Sequence, residues 1–290
     1  MKTGKFNIIG IGELLWDVLP DGKELGGAPA NFTYHANFFG ADSTIISALG
    51  NDENGEEIRS LLKKRNLKYS INTVDCPTGW VSVKLDNGIP NYVIHENVAW
   101  DFISLRDEVI PVLQKADAIC FGTLSQRSKV SFETIQEALK LVPKTALKVL
   151  DINLRQSFYT KNTIEASLKC ANVVKLNDEE LVVLSEMFHL PNSEDEACKQ
   201  LLNQFNLKLL ALTKGAEGSI LFTQKEISSF PTPKIKVVDT IGAGDSFTAA
   251  MVVGLLNGKP LKQLHKEASE HAAKVCTYKG ATPKLYQIDL

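Results

Sequence analysis

The sequence lacks a strong charge imbalance and any long apolar run. Its 290 residues carry 32 basic and 34 acidic side chains, for a formal net charge of −2. We therefore expect no nucleic-acid partner, because proteins that bind nucleic acids present clustered basic charge. The densest apolar run, residues 249–256, is far shorter than the ~20 residues needed to cross a bilayer. No membrane association is expected.

Patterned cysteines and histidines are also missing. The five cysteines never form a C-x-x-C pair, and the five histidines include no H-E-x-x-H. This spacing argues against a zinc knuckle or a disulfide framework and favours reduced, mostly buried thiols. The apolar stretch at residues 6–15 is interrupted by Glu13, which is not typical of a signal peptide. We expect a soluble, cytoplasmic protein.

Two common phosphate-binding devices are absent. The chain contains no G-x-x-x-x-G-K-[ST] and no H-R-D with D-F-G. The pair Gly10 and Gly12 is part of a dinucleotide-binding loop pattern, but the third glycine is missing and Glu13 would face the phosphates. A nicotinamide-dependent oxidoreductase is therefore a weak alternative.

Short apolar, β-branched runs alternate with helical patterns along the chain. The runs lie at residues 6–11, 44–49, 118–121, 148–152, 173–176, 209–213 and 219–222. Between them, apolar residues recur at helical spacing, as at Ile135, Ala138, Leu139 and Val142. This alternation predicts an α/β fold, with a mainly parallel central sheet covered on both faces. Ligands would bind beyond the carboxyl ends of its strands.

One region, residues 73–103, breaks this alternation. Apolar Val81, Val83 and Leu85 alternate with polar residues, and the turn residues 86–88 follow, which predicts a β-hairpin. Together with residues 14–25, this hairpin would form a small β lid on a single domain that spans residues 1–290. An ordinary edge hairpin is the alternative.

The most informative motif is DTIGAGD, at residues 239–245. It follows a predicted strand at residues 235–238 and precedes a helix that is predicted to begin near Gly244 and to end at Asn257. The small residues Gly242, Ala243 and Gly244 allow close approach of the backbone to a ligand.

A helix that begins in this motif would offer unpaired N–H groups and a partial positive charge, which suit a phosphoryl group in transfer. Asp245, in its first turn, could accept the proton of a substrate hydroxyl. A helix cap after a glycine-rich turn is the alternative.

Residues 26–31 (GGAPAN) and 239–245 together resemble the two motifs of the ribokinase-like (PfkB-type) carbohydrate kinases. Both motifs match without gaps and in the family's order, and the resemblance extends from about residue 8 to residue 283. It implies the ribokinase-like three-layer α/β/α fold with a β-sheet lid. It also implies ATP and Mg²⁺ as cosubstrate and cofactor, and a possible homodimer formed through the lid.

The resemblance assigns the sugar site to four residues near the N-terminus. Asp17 and Asn31 would bind sugar hydroxyls, since a carboxylate accepts hydrogen bonds and an amide both donates and accepts them. Gly26 and Gly27 would bring backbone N–H groups close to the sugar. The alternatives are a solvated strand-end charge for Asp17 and a helix N-cap for Asn31.

Two further residues complete the implied sugar site. Arg155, in the pattern D-x-N-x-R, could meet a phosphate or the sugar with its planar guanidinium. Trp100 could cover the hexose and exclude water. A surface salt bridge for Arg155 and a hydrophobic lid or core anchor for Trp100 are the alternatives.

The resemblance also assigns the nucleotide site and the cations. The nucleotide residues are Asn177 and Glu180, of an N-x-x-E motif, and Thr213, Lys214, Gly215 and Gly218, of a T-x-G-x-x-G turn. Glu180 would reach Mg²⁺ through water, and Asp239 would lie near a possible K⁺ site. A helix-capping pair and an ordinary β-turn are the alternatives for the two motifs.

Several features favour fructose as the sugar. The residue after the glycine pair is Ala28, where ribokinases usually carry lysine, and residues 122–127 (GTLSQR) also resemble fructokinases. We therefore expect ATP-dependent formation of fructose 6-phosphate. The alternatives are another substrate of the same fold (2-keto-3-deoxygluconate, ribose or a nucleoside) and a catalytically silent sugar-binding regulator.

Overall fold

The computed structural model describes residues 4–19, 22–86 and 89–285. In this part of the chain the strands are β1 Asn7–Ile11, β2 Leu15–Leu19, β3 Gly22–Gly26, β4 Asp42–Gly50, β5 Lys68–Val74, β6 Gly79–Asp86, β7 Ile89–Ile94, β8 Ala118–Gly122, β9 Leu147–Asp151, β10 Val173–Asn177, β11 Leu209–Thr213, β12 Ser219–Phe222 and β13 Ile227–Phe230. The α-helices are α1 Ala28–Phe38, α2 Glu53–Lys64, α3 Ile110–Leu113, α4 Lys129–Leu141, α5 Lys161–Cys170, α6 Asp178–Phe188, α7 Glu194–Gln204, α8 Ala243–Leu256 and α9 Leu261–Val275.

The larger sheet has the order β13-β12-β11-β10-β9-β8-β1-β4-β5. The strands from β5 to β11 are parallel to their neighbours, and β12 and β13 complete the sheet antiparallel. All seven apolar runs that the sequence analysis predicted as strands lie in this sheet. The predicted parallel α/β architecture is confirmed.

Helices cover both faces of this sheet. One core cluster joins α1, α8 and α9 to the sheet, with Phe32 and Met251 almost fully buried. Another joins α4, α5, α6 and α7 to the opposite face, with Ile135 and Leu184 buried. Since both faces are covered, a central strand such as β8 (AICFG) is buried along its whole length.

The smaller sheet has the order β3-β2-β6-β7, with β2 parallel to β6 and the outer pairs antiparallel. This sheet contains fewer residues than the lid that was predicted at residues 14–25 and 73–103. Residues 73–74 belong to β5 of the larger sheet, and Ala99–Phe102 forms a 3₁₀ helix. The predicted hairpin strands pair as β6 and β7, while turn residues 87 and 88 lie outside the described residues.

The prediction of a strand at residues 235–238 is wrong. This segment has no regular secondary structure and pairs with no strand of the described chain, and Val237 and Val238 are 57% and 60% exposed. A β-branched run becomes a strand only where a neighbouring strand completes its hydrogen bonds. Here the segment instead borders a cavity.

Candidate active site

A cavity of about 680 Å³ lies beyond the carboxyl ends of the parallel strands and is lined by residues of both sheets. Of the residues that the sequence analysis selected, it is lined by Asp17, Gly27, Asn31, Arg155, Asn177, Glu180, Thr213, Gly215, Gly242, Gly244 and Asp245. A second cavity of about 450 Å³ shares Thr213, Gly215 and Gly244 with the first and adds Gly218 and Ala243. Loops that follow parallel strands converge at this edge, which brings these distant residues together.

The DTIGAGD segment forms a tight turn directly before α8. Gly242 caps the helix with φ 77°, and a Cβ at this position would lie 2.6 Å from the Ala281 Cα. Glycine is therefore required both by the backbone angle and by the close approach of the C-terminal segment. The helix begins at Ala243, and Gly242, Gly244 and Asp245 around this start line the cavity. The first-turn N–H groups of a helix have no intrahelical partner.

Asp245 lies in the first turn of α8 beside a side chain from α1. The Asn31 Nδ2 donates to the Asp245 Oδ2 at 2.8 Å. Burial and the negative charge of Asp151 raise the pKa of Asp245 to about 7, although Asn31, Lys175 and Arg155 act in the opposite direction. A carboxyl group with a pKa near neutrality is suited to take a proton from a hydroxyl.

Lys175 is a cavity residue that the sequence analysis missed. Its Nζ lies 3.1 Å from the Asp151 Oδ1, and a Cβ built on Gly244 would lie 3.1 Å from the same Nζ. Burial lowers the pKa of Lys175, but the charges of Asp151 and Glu180 outweigh it and the pKa is raised. A permanent positive charge therefore lies beside the anion loop. A lysine inside the apolar run of β10 was the available clue, since an unpaired charge is rarely buried.

Asp17 enters the cavity from β2 of the smaller sheet. Burial and the charge of Glu24 raise its pKa to about 6, while Arg155 lowers it. Gly26, which does not line the cavity, provides space for this carboxylate: a Cβ there would lie 2.2 Å from the Asp17 Oδ2. Gly26 therefore does not approach the cavity directly, as was predicted, but leaves room for the Asp17 side chain.

Glu13 and Asn153 also line the cavity and were missed as site residues. Glu13 is 2% exposed, and burial raises its pKa despite nearby backbone N–H groups and Arg155. The sequence analysis used this residue only as an argument against a dinucleotide loop. Its position immediately after a buried parallel strand could have identified it, since that is where the loops of the site begin.

Asn177 and Glu180 form the helix-capping pair that the sequence analysis kept as an alternative. The Asn177 Oδ1 accepts from the Glu180 N at 2.7 Å, and the Glu180 Oε2 accepts from the Asn177 N at 2.8 Å. The Leu154 N donates to the Glu180 Oε1 at 2.9 Å. Both residues nevertheless line the cavity. The two interpretations are therefore compatible.

Lys214 does not line either cavity. Its Nζ pairs with the Glu194 Oε2 at 2.9 Å and with the Glu217 Oε2 at 3.5 Å. The surrounding turn is well formed, since Gly218 has φ 128° and the Lys214 N donates to its carbonyl oxygen at 2.8 Å. The backbone of this turn, and not the lysine side chain, borders the site.

The prediction that Trp100 covers the sugar is wrong. Trp100 is 0% exposed and does not line the cavity. The Arg127 guanidinium lies 3.8 Å above its ring and forms a two-point ion pair with Asp101, with both N–O distances 2.8 Å. Trp100 is a core anchor, because a large aromatic ring next to a buried ion pair contributes packing and a cation–π contact.

Two other predicted residues have clear positions. Arg155 is exposed at the cavity wall, with its Nη1 donating to the Leu154 carbonyl at 2.9 Å. Asp239 lies outside both cavities, and its two oxygens accept from the Ile241 N at 3.0 Å and the Gly280 N at 2.9 Å. It therefore connects the anion loop to the C-terminal segment.

Within the described ranges, no group of three or more His, Cys, Asp or Glu side chains could hold a metal ion. Over the same ranges, none of the helices combines the length and apolar character needed to span a bilayer.

The family model for pfkB family carbohydrate kinases matches residues 19–287. A protein of Pyrococcus horikoshii that is named a putative sugar kinase is 30% identical over 96% of this chain and 93% of its own length. Its crystal structure, which describes it as uncharacterized, superposes with a TM-score of 0.80 over 95% of this chain and 93% of that one, and a second structure of it holds ATP. The chain belongs to the pfkB family and is a sugar kinase with the ribokinase-like fold.

Two fructokinases are also similar to the chain. The fructokinase of Salmonella typhimurium is 28% identical over 97% of this chain and 96% of its own length. The fructokinase of Vibrio cholerae, crystallised with fructose, ADP and calcium ion, has a TM-score of 0.81 at 23% identity over 96% of this chain and 94% of that one. At this identity the second comparison concerns the fold.

Proposed function

We propose that this sugar kinase is a fructokinase, which transfers the γ-phosphoryl group of ATP to the primary 6-hydroxyl of fructose. The observation that carries the proposal is the position of Asp245. Its carboxyl has a pKa raised to about 7, is held by Asn31 at 2.8 Å and adjoins an anion-binding helix start. The similarity to a Salmonella fructokinase over nearly the whole chain favours fructose.

The sugar would occupy the part of the cavity near Asp17, Gly27 and Asn31, and the triphosphate would lie near Asn177, Thr213 and Gly215. The same cavity is lined by all six residues, which allows the two substrates to meet. The smaller sheet would act as a lid over the sugar, because Asp17 is carried by β2.

In the proposed reaction, the Asp245 carboxylate accepts the proton of the sugar 6-hydroxyl. The oxygen of that hydroxyl forms a bond to the γ-phosphorus of ATP. The bond between that phosphorus and the bridging oxygen of ADP breaks, and ADP leaves. The N–H groups at residues 242–245 and the Lys175 ammonium stabilise the charge on the transferred group, since preorganised donors are worth most in a site that excludes water.

Glu180 fits an indirect role toward Mg²⁺. Both of its oxygens already accept backbone N–H groups, so contact through water fits better than direct coordination, and Mg²⁺ usually keeps several waters. When bound, the ion would neutralise charge on the phosphates. Asp239 holds the loop where a K⁺ ion would act, and comparison of activity in K⁺ and Na⁺ at equal ionic strength tests this part.

The proposal is tested by ADP release from Mg-ATP with fructose, ribose, 2-keto-3-deoxygluconate, glucose and adenosine. We expect turnover on fructose and, for Asp245→Asn, a kcat lower by about 10²–10⁴-fold, the usual contribution of a general base. Asp107→Asn, an exposed first-turn aspartate far along the chain from the motif, is the matched control and should match wild type.

Turnover with a different sugar and not with fructose would contradict the assignment of fructose as the substrate but would leave the proposed mechanism unchanged. Near-normal turnover by Asp245→Asn would contradict the role of Asp245. A folded wild-type protein that binds sugar and ATP without releasing ADP would favour a silent regulator.

A further inference from the structure

Two buried side-chain oxygens that line the cavity, the Glu13 Oε2 and the Asn31 Oδ1, have no hydrogen-bond partner by geometry among the described residues. Glu13 and Asn31 are only 2% and 4% exposed. The Ser125 hydroxyl lies close enough to the Glu13 carboxyl to lower its pKa, but no described side chain reaches the Asn31 Oδ1. A buried polar atom without a partner is costly, so two such oxygens in one cavity point to a ligand that supplies the missing hydrogen bonds.

Glu13 is held by the main body of the protein and not by the lid. Glu13 follows β1 after one residue, Gly12. A Cβ built on Gly12 would lie 2.7 Å from the Ser125 Oγ. A Cβ on Gly27 would lie 2.2 Å from the Glu13 carbonyl oxygen, so the backbone before α1 packs directly on Glu13. The backbone that carries Glu13 is therefore closely packed, which limits the positions that its side chain can take as an acceptor.

The charges around this part of the cavity indicate what kind of ligand fits. Its acidic side chains are Glu13, Asp17 and Asp245. Of the two cavity cations, Lys175 is paired with Asp151 and Arg155 is exposed. A neutral ligand rich in hydroxyl donors matches these acceptors, whereas a carboxylate or phosphate on the ligand would meet like charge.

We propose that Glu13 determines substrate specificity by accepting a hydrogen bond from a hydroxyl of a neutral sugar that is not phosphorylated. Asn31 uses its remaining amide oxygen for a neighbouring hydroxyl while its Nδ2 holds Asp245. This inference rests on the proposed kinase function and narrows its substrate to neutral polyols, to the disadvantage of sugar acids such as 2-keto-3-deoxygluconate.

The test combines Glu13→Gln with fructose analogues that each lack one hydroxyl other than the 6-hydroxyl. Glutamine keeps the shape but removes the charge, and a hydrogen bond to a charged group is worth about 1.5–3 kcal/mol. We therefore expect kcat/KM for fructose to fall by about 10–150-fold. For wild type, kcat/KM should fall by a similar factor when one particular hydroxyl is removed from the sugar. For Glu13→Gln, removal of the same hydroxyl should lower kcat/KM by less than about threefold, because the contact is already lost.

Two controls keep the result specific to Glu13. Glu226→Gln changes an exposed glutamate at the turn between β12 and β13 and should match wild type with every sugar. The ATP affinity and thermal midpoint of Glu13→Gln show whether the protein is folded. If it does not fold, the analogue series with wild type remains decisive, since the proposal requires at least one nonreacting hydroxyl to contribute tenfold or more.

Unchanged kcat/KM in folded Glu13→Gln would overturn the inference while leaving the kinase function intact. Equal losses on every analogue in both proteins, or a wild-type preference for 2-keto-3-deoxygluconate over neutral sugars, would overturn it too. Failure of the kinase function itself has a different result, because wild type then releases no ADP with any sugar.

Discussion

At the residue scale, the site depends on a few carboxyl groups held in different surroundings. Asp245 receives a hydrogen bond from Asn31 and lies near Asp151, whereas Asp151 itself pairs with Lys175 at 3.1 Å. Asp151 therefore has an ammonium partner, whereas burial and the charge of Asp151 raise the pKa of Asp245 to about 7. The two nearby aspartates thus lie in different electrostatic environments.

The raised pKa of Asp245 predicts how activity depends on pH. A base must be deprotonated, so kcat/KM should fall about tenfold per pH unit below about 7 and reach a plateau above it. Asn31→Ala removes the hydrogen bond that lowers this pKa, and the midpoint should move to higher pH even though the absolute activity also falls. Profiles of kcat/KM from pH 5.5 to 9 for both proteins measure this.

A flat wild-type profile over that range would contradict the assignment of Asp245 as the base. An Asn31→Ala midpoint at or below that of wild type would contradict the electrostatic role of Asn31.

At the element scale, short connections between the sheets position the site. The 3₁₀ helix Ala99–Phe102 follows β7 and returns the chain to the larger sheet, where the Trp100 ring packs beneath Arg127 of the 3₁₀ helix Leu124–Arg127. Leu124 of that second 3₁₀ helix lines the cavity. Trp100 therefore supports the wall of the site from behind.

This placement predicts that Trp100→Phe affects stability more than sugar affinity. The smaller ring leaves a gap and weakens the contact with Arg127, so we expect a loss of about 1–3 kcal/mol in the free energy of unfolding. The KM for the sugar should change less than about threefold. Denaturant unfolding and steady-state kinetics measure the two effects, and Trp80→Phe, at a half-buried tryptophan of β6, is the matched control.

A large rise in KM for the sugar with unchanged stability in Trp100→Phe would contradict this interpretation and support a direct contact between Trp100 and the sugar.

At the scale of the whole molecule, the smaller sheet carries an exposed apolar residue. Val18 of β2 is 40% exposed, although Leu15 and Trp16 of the same strand are each only 4% exposed. We propose that Val18 lies in the contact of a homodimer formed through the lid, as the resemblance to ribokinase-like kinases implies, because association would remove this apolar side chain from water.

Sedimentation equilibrium at micromolar concentrations tests this proposal. Wild type should be dimeric and Val18→Asp predominantly monomeric, since a buried unpaired charge opposes association. Val182→Asp, at a 60% exposed valine of α6, introduces the same charge away from the lid and should remain dimeric. A monomeric wild type, or equal dissociation of both variants, would contradict a dimer formed through the lid.

Prediction from sequence succeeded where the pattern is local. Apolar runs such as residues 118–121 form strands that pair with a strand on each side, while residues 235–238 are also rich in β-branched residues but pair with no strand of the described chain. The placements of Asp17, Asn31 and Asp245 in the cavity followed from motifs. Glu13 and Lys175 were missed, because each is an isolated charge that belongs to no motif: Glu13 follows an apolar strand and Lys175 lies within one.

The sequence by itself determined the α/β alternation, the glycine turn before α8 and the family, because these depend on periodicity, on backbone freedom and on contiguous motifs. Only the tertiary structure decided which side chains share the cavity. Trp100 faces the core, Glu13 lines the cavity, and Lys175 lies beside Gly244, because the order of strands in the sheet brings together residues that are distant in sequence. Burial and neighbouring charge, which set the pKa of Asp245, likewise exist only in the folded chain.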